Sequence, residues 1–80
     1  MSKADPKTPA VHIPATVDVK AIRLRLGVTQ EEFANRFGFS VFTLRRWEQG
    51  ARQPEGPTRA YLLVINKIPD EVQRALRAAV

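Results

Sequence analysis

The sequence contains no cysteine and only one histidine, His12. Without cysteine there is neither a disulfide framework nor a thiolate metal site, so we expect a fold held by packing alone, in the cytoplasm. One histidine and scattered carboxylates provide neither a nucleophile–base pair for catalysis nor a set of side chains that could bind a metal. We therefore expect no metal, no cofactor and no catalytic residue, and a protein that is not an enzyme.

Long hydrophobic runs are also missing. The longest run, Tyr61 to Ile65, is much shorter than the ~20 apolar residues that cross a bilayer. The first residues are polar and interrupted by Pro6 and Pro9, which is unlike a signal peptide. We expect no membrane partner.

Basic side chains exceed acidic ones, 13 to 8, and the formal net charge of the 80 residues is +5. The length suits one small domain, and the charge favours a polyanionic partner such as DNA, RNA or an acidic membrane surface. A merely solvated basic surface is the alternative. RNA is disfavoured because the sequence lacks RNP-like aromatics and a GXXG loop.

The distribution of prolines and apolar residues predicts a flexible arm over residues 1–17 and an all-α domain over residues 18–80. The arm holds Pro6, Pro9 and Pro14. Five helices are predicted: from Val17 or Asp18 to Leu26, Thr29 to Phe37, Ser40 to Gln49, Pro57 to Lys67, and Asp70 to Ala79, with Pro69 breaking the chain before the last.

The second and third helices have local signals that predict a helix-turn-helix. Thr29 and Glu32 have the spacing of a capping box, and Ser40 is a good N-cap. The connection Gly38-Phe39 is so short that the helices must cross steeply. Ala34 provides the small side chain that such a crossing needs.

One face of the third helix is suited to reading DNA. Leu44 and Trp47 should point inward, which leaves an outer face of Phe42, Thr43, Arg45, Arg46 and Gln49. Arg46 can bond a guanine edge in the major groove, and Phe42 can contact a thymine methyl. The alternatives are a solvated face for the arginines and, for Phe42, packing against the fourth helix or the arm.

A second set of residues is predicted to bind phosphate. Gln30 and Ser40 stand at helix starts, where backbone N–H groups attract anions, although capping alone is the alternative. Gln49, Arg52 and Gln53, at and after the end of the third helix, complete the set.

Three segments together resemble the XRE/Cro-C1 family of helix-turn-helix repressors: residues 29–34, 38–40 and 43–50. The resemblance implies a lambda-repressor-like fold. Residues 17–19, 47–50 and 52–54 resemble the HigA- and MqsA-type antitoxins of that family. The resemblance implies a phosphate-binding Gln30, base-reading Val41, Phe42 and Arg46, and a buried ion pair between Arg23 and Glu48. Val41 and Phe42 are apolar where many relatives have polar readers, which suggests thymine-methyl contacts.

We therefore expect a dimeric repressor of its own promoter on a palindromic DNA operator, acting as the antitoxin of a HigBA-like pair; the alternative is a stand-alone or phage-type regulator. Val72, Leu76 and Val80 form a candidate dimer seam, unless this stripe docks on the chain's own core. The segment Val11-His12-Ile13 could add a strand to an RNase-type toxin.

Overall fold

The computed structural model describes residues 11–78, and these contain five helices and no strand. The helices are α1 (Val19–Leu26), α2 (Gln30–Phe37), α3 (Val41–Glu48), α4 (Gly56–Lys67) and α5 (Pro69–Ala78). The predicted all-α class is confirmed. Most of the predicted arm, and Val80 of the proposed seam, lie outside the described residues. No helix in this part of the chain is long and apolar enough to cross a membrane.

Side-chain caps begin the first three helices. Asp18, Thr29 and Ser40 each accept a hydrogen bond from the backbone N–H three residues later, at 2.9, 3.0 and 3.3 Å. The Thr29 N–H donates in return to Glu32 Oε1 at 2.8 Å, which completes the predicted capping box. The N-terminal ends of α2 and α3 are therefore defined by contacts within a few residues.

Glycines end α1 and α2. Gly27 and Gly38 have φ angles of 72° and 84°, the left-handed conformation in which a Cβ atom is unfavourable. The chain leaves α2 at Gly38 and enters α3 at Ser40, so α3 crosses α2 after a short turn, as predicted.

The predictions for the last two helices need correction. α4 begins at Gly56 rather than Pro57, and Pro69 is the first residue of α5 rather than a break before it. Proline is tolerated there because the first turn of a helix does not use its backbone N–H groups. Only Ile68 separates α4 from α5, so the two helices form a tight corner.

All five helices contribute to the core. Phe33, Leu44, Leu62 and Ile65 are fully buried, and Ala34 beside them is 1% exposed, as the crossing of α2 and α3 requires. The remaining buried apolar residues are Val19, Ile22, Val28, Phe37 and Val72.

Phe39, in the turn between α2 and α3, joins the aromatic residues. Its ring stacks on Phe33 at 5.8 Å, meets Trp47 edge-on at 5.3 Å and lies 5.5 Å from Tyr61. Such pairs contribute about 0.5–1.5 kcal/mol each beyond area burial. Trp47 thus packs against the turn itself, which fixes the side of α3 that faces outward.

α5 packs on α2 and α4. Val72 is buried in that interface, whereas Leu76, one turn further on, is 43% exposed. The first residue of the predicted stripe therefore docks on the chain's own core. Leu76 remains available to a partner.

Candidate nucleic-acid interface

α3 has a buried face and an exposed face. Leu44 is fully buried, whereas Phe42 is 68% exposed and Arg45, Arg46 and Gln49 are exposed beside it. The ring of Phe42 is thus not covered by α4 or by residues 11–17. The exposed face carries two cations, an amide and an aromatic ring, which together suit the major groove.

Val41 and Thr43 lie on the two flanks of this face. Val41 is half-buried and packs against the core, and Thr43 is half-buried beside the loop between α3 and α4. Of the predicted base-reading residues, Phe42, Arg45 and Arg46 point outward, while Val41 and Thr43 border the face.

Phe42 and Arg46 form a cation–π pair. The guanidinium carbon of Arg46 lies 5.6 Å from the centre of the Phe42 ring, within the range of a cation–π contact. The spacing of four residues places both side chains on the same side of the helix.

Arg45 leans toward the start of α2. Its Nε donates to Gln30 Oε1 and its Nη2 to Glu31 Oε2, both at 3.3 Å. The side chains of Arg45 and Glu31 are 50% and 62% exposed. The ion pair is therefore weak, but it neutralises a carboxylate that would otherwise repel a phosphate at this helix end.

Glu48 joins α1, α2 and α3. Its carboxylate accepts hydrogen bonds from Arg23 Nε at 2.7 Å, Arg23 Nη2 at 2.9 Å and Gln30 Nε2 at 3.1 Å. Arg23 Nη1 also donates to the Val28 carbonyl at 3.0 Å. The side chains of Arg23 and Glu48 are only 12% and 5% exposed. The structure thus brings together the two residues that the resemblance pairs.

The pKa of Glu48 reflects competing effects. Burial raises it, but hydrogen bonds from Arg23 and Gln30 and the charges of Arg23 and Lys20 outweigh burial, so the pKa lies below the usual 4.5. The hydrogen bond to Glu48 raises the pKa of Arg23. Both groups are charged at neutral pH.

The predicted phosphate-binding residues fall into two groups. Gln30 and Ser40 stand at the starts of α2 and α3, where the first N–H groups lack intrahelical partners. The Gln30 amide is held by Glu48 on one side and Arg45 on the other. Its position is therefore determined before any ligand binds.

The second group follows α3. Gln49 is the C-cap of α3, and Arg52 and Gln53 are exposed in the loop that leads to α4. Both loop residues line a shallow cavity together with Phe42 and Arg46. The cavity thus joins part of each predicted set, and Arg45 and Gln49 lie beside it on the exposed face of α3. We call these residues the reading surface (residues 42, 45, 46, 49, 52 and 53).

Arg59, on α4, holds this loop in place. Its Nε donates to the Pro14 carbonyl and its Nη1 to the Pro54 carbonyl, both at 2.7 Å. One guanidinium thus connects the segment before α1 to the loop after α3. We call this contact the Arg59 clamp.

Sequence reasoning missed three contacts: the Arg59 clamp, the ion pair between Glu31 and Arg45, and the hydrogen bond from the Tyr61 hydroxyl to the Phe37 carbonyl at 2.8 Å. Burial raises the pKa of Tyr61, which remains protonated and donates. The acceptors of Arg59 and Tyr61 are backbone carbonyls, which have no residue signature. Only Glu31, at the start of a helix beside a predicted phosphate ligand, could have been singled out.

Residues 11–78 contain no group of three or more His, Cys, Asp or Glu side chains arranged to hold a metal.

Comparison with known proteins identifies a family. A profile described as "Helix-turn-helix" matches residues 19–58. The crystal structure of an HTH XRE-family-like protein from Agrobacterium tumefaciens superposes with a TM-score of 0.73 at 46% identity, covering 74% of this chain and 95% of that one. A Type II methyltransferase, M.SsoII from Shigella sonnei, is 42% identical over 62 residues, which are 74% of this chain but only 15% of the methyltransferase.

Proposed function

We propose that this chain, which belongs to the XRE-like helix-turn-helix family whose profile matches residues 19–58, is a DNA-binding transcription regulator. In a more specific form of the proposal it is a repressor that binds a palindromic operator as a dimer. The proposal assigns base reading to Phe42, Arg45 and Arg46, with Val41 and Thr43 at the border. It assigns phosphate binding to the remaining predicted set, Gln30, Ser40, Gln49, Arg52 and Gln53.

The exposed face of α3 is the observation that carries this proposal. Phe42, Arg45 and Arg46 share one side of a helix whose opposite side is anchored by Leu44 in the core and Glu48 in the ion pair. A rigid helix with donors on its free side fits the major groove, where guanine presents two acceptors. A good bidentate contact discriminates between bases by about 1–3 kcal/mol.

Dimerisation is part of the proposal because one short helix reads few base pairs. Two copies related by a two-fold axis would place their α3 helices about 34 Å apart, one turn of DNA, and would require a palindromic site. Leu76 is a candidate for the contact because it is exposed on α5.

Toxin neutralisation is the finer form of the proposal. The resemblance to HigA- and MqsA-type antitoxins supports it, as does the exposed Val11, at 84%, in the segment that could pair with a sheet edge. Co-expression with a small RNase-like protein from a neighbouring reading frame tests it. Stable co-purification supports an antitoxin, and failure to co-purify leaves a stand-alone regulator.

The match to the Shigella sonnei methyltransferase favours a second candidate. Because this chain is similar to 15% of that protein, the shared part is proposed to be a DNA-binding unit that works beside a methyltransferase. A neighbouring methyltransferase reading frame whose promoter the protein binds would support this candidate over the antitoxin.

A DNA titration tests the repressor proposal. Fluorescence anisotropy at near-physiological salt compares a labelled fragment of the gene's upstream DNA with a scrambled fragment. We expect at least ~10³-fold tighter binding to the upstream fragment, and a loss of about 5- to 150-fold in that preference for Arg46→Ala.

Arg74→Ala is the matched control. Arg74 is an exposed arginine of α5, a helix that packs on α2 and α4, and its loss removes the same charge. It should leave the preference for upstream DNA unchanged. The proposal is overturned if wild type and variants bind both fragments equally and lose that binding when salt is added. Such binding would reflect only electrostatic attraction to phosphates.

A further inference from the structure

The cation–π pair Phe42–Arg46 bears on which base pairs α3 would read. The guanidinium lies over a ring that is itself 68% exposed, so both partners remain open to a ligand. Within residues 11–78, Arg46 forms no ion pair. The ring is therefore the feature of this surface that orients its guanidinium.

The cation–π contact with the ring does not use the N–H groups of the guanidinium as donors to an acceptor atom, so they remain available to a ligand. Those N–H groups have the fork geometry that matches O6 and N7 of guanine. A cation–π contact at an exposed site favours the stacked conformer about 2- to 5-fold, so the fork is partly oriented before DNA arrives.

The ring adds a second contact beside the first. Neighbouring bases of one strand are separated by about 3.4 Å along the helix axis. The guanidinium lies 5.6 Å from the ring centre. If Arg46 bonds a guanine, this separation would place the Phe42 ring within reach of the adjacent base pair. The apolar group in the major groove there is the C5-methyl of thymine.

We propose that Phe42 and Arg46 read as one unit a guanine together with the C5-methyl group of a neighbouring pyrimidine. The inference rests on the proposed operator binding and specifies the DNA step that α3 recognises. Because the recognised group is the methyl, 5-methylcytosine satisfies the pair as thymine does. The protein then distinguishes C5-methylated from unmethylated cytosine at one position of each half-site.

The test begins with selection of bound duplexes from a randomised library, since this yields a preferred sequence without assuming an operator. Each thymine next to a guanine is then replaced by uracil, which removes only the methyl. In a second series the whole T·A pair is replaced by a C·G pair, with and without a methyl group at C5 of the cytosine. We expect a uracil in one half-site to weaken binding about 4-fold at a single position of that half-site, the effect of one buried methyl, and 5-methylcytosine there to bind about 4-fold better than cytosine.

Variants show whether the two side chains act together. Phe42→Ala should abolish the difference between thymine and uracil and also reduce the preference for guanine, because Arg46 loses its support. Arg46→Ala should abolish the guanine preference. Leu24→Ala is the control, since it removes an apolar side chain that is 58% exposed on α1 and should change neither preference. Both readers are exposed, so thermal melts should show all variants folded.

The outcomes separate the inference from the proposed function. If selection finds a preferred sequence but uracil and 5-methylcytosine change affinity less than about 1.5-fold at every position, the paired reading is wrong and operator binding stands. If Phe42→Ala leaves the guanine preference intact, the two residues act independently and the inference also fails. If selection finds no preferred sequence, the proposed function itself is refuted.

Discussion

Replacing Glu48 by glutamine isolates the contribution of one charge to the junction of α1, α2 and α3. Glu48→Gln keeps the size of the side chain but has one acceptor oxygen where the carboxylate has two. Its NH₂ group would then face an N–H of Arg23, which at present donates two hydrogen bonds to the Glu48 carboxylate. Arg23, at 12% exposure, becomes a nearly buried cation without a counter-charge.

The expected destabilisation is about 3 kcal/mol, at the lower end of the ~3–5 kcal/mol found when one partner of a buried pair is removed, because this pair retains some exposure. A domain of 80 residues has a total stability of roughly 4–12 kcal/mol. The melting temperature should therefore fall by about 12–24 °C.

Urea and thermal unfolding at pH 7, followed by helical circular dichroism and Trp47 fluorescence, measure this effect. Glu31→Gln is the matched control, since the same chemical change at a 62% exposed carboxylate should alter stability by less than about 0.5 kcal/mol. The double variant Arg23→Met/Glu48→Leu should lose less than Glu48→Gln, because no uncompensated charge remains. If Glu48→Gln unfolds within about 0.5 kcal/mol of wild type, the reasoning is wrong.

The same pair predicts a dependence on pH. The pKa of Glu48 is lowered in the folded protein, so its contribution to stability is fully present above the usual value of 4.5 and is lost as pH falls through the folded pKa. The stability difference between wild type and Glu48→Gln should therefore shrink below about pH 4.5. A difference that stays constant from pH 7 to pH 3 would contradict this assignment.

Three further substitutions test other contacts. Thr29→Ala removes the cap of α2 and should cost about 1 kcal/mol in urea unfolding, with an unchanged m-value. Gly38→Ala should destabilise the fold by about 1 kcal/mol. The cost comes from the φ of 84° alone, because an added Cβ would meet nothing within 4 Å. Gly56→Ala is the control: Gly56 has no positive φ, so this substitution should be neutral or stabilising. Arg59→Gln removes the hydrogen bonds of the clamp. It should weaken operator binding several-fold in anisotropy titrations without relaxing sequence preference. Full affinity would mean that the clamp is irrelevant to DNA binding.

The parts of the fold that sequence reasoning predicted well depend on contacts between near neighbours. The Thr29–Glu32 box, the Ser40 cap and the short turn at Gly38 each involve residues within a few positions, and each begins or ends a helix where predicted. Local agreement of this kind makes a helix-turn-helix visible in a single sequence.

The parts that escaped prediction depend on where distant segments meet. Nothing in the sequence marks the Pro14 and Pro54 carbonyls as acceptors for Arg59, because every residue has a carbonyl. The half-burial of Val41 depends on how far α3 is rotated on the core, and the aromatic contacts of Phe39 determine that rotation. Both are properties of packing rather than of pattern.

The Arg59 clamp has a practical consequence for any labelled or fused form of this protein. Because one guanidinium holds the Pro14 carbonyl beside the Pro54 carbonyl, a label attached at or directly beside Pro14 begins next to the loop that carries Arg52 and Gln53. A bulky tag joined there starts beside the reading surface and competes with DNA for space.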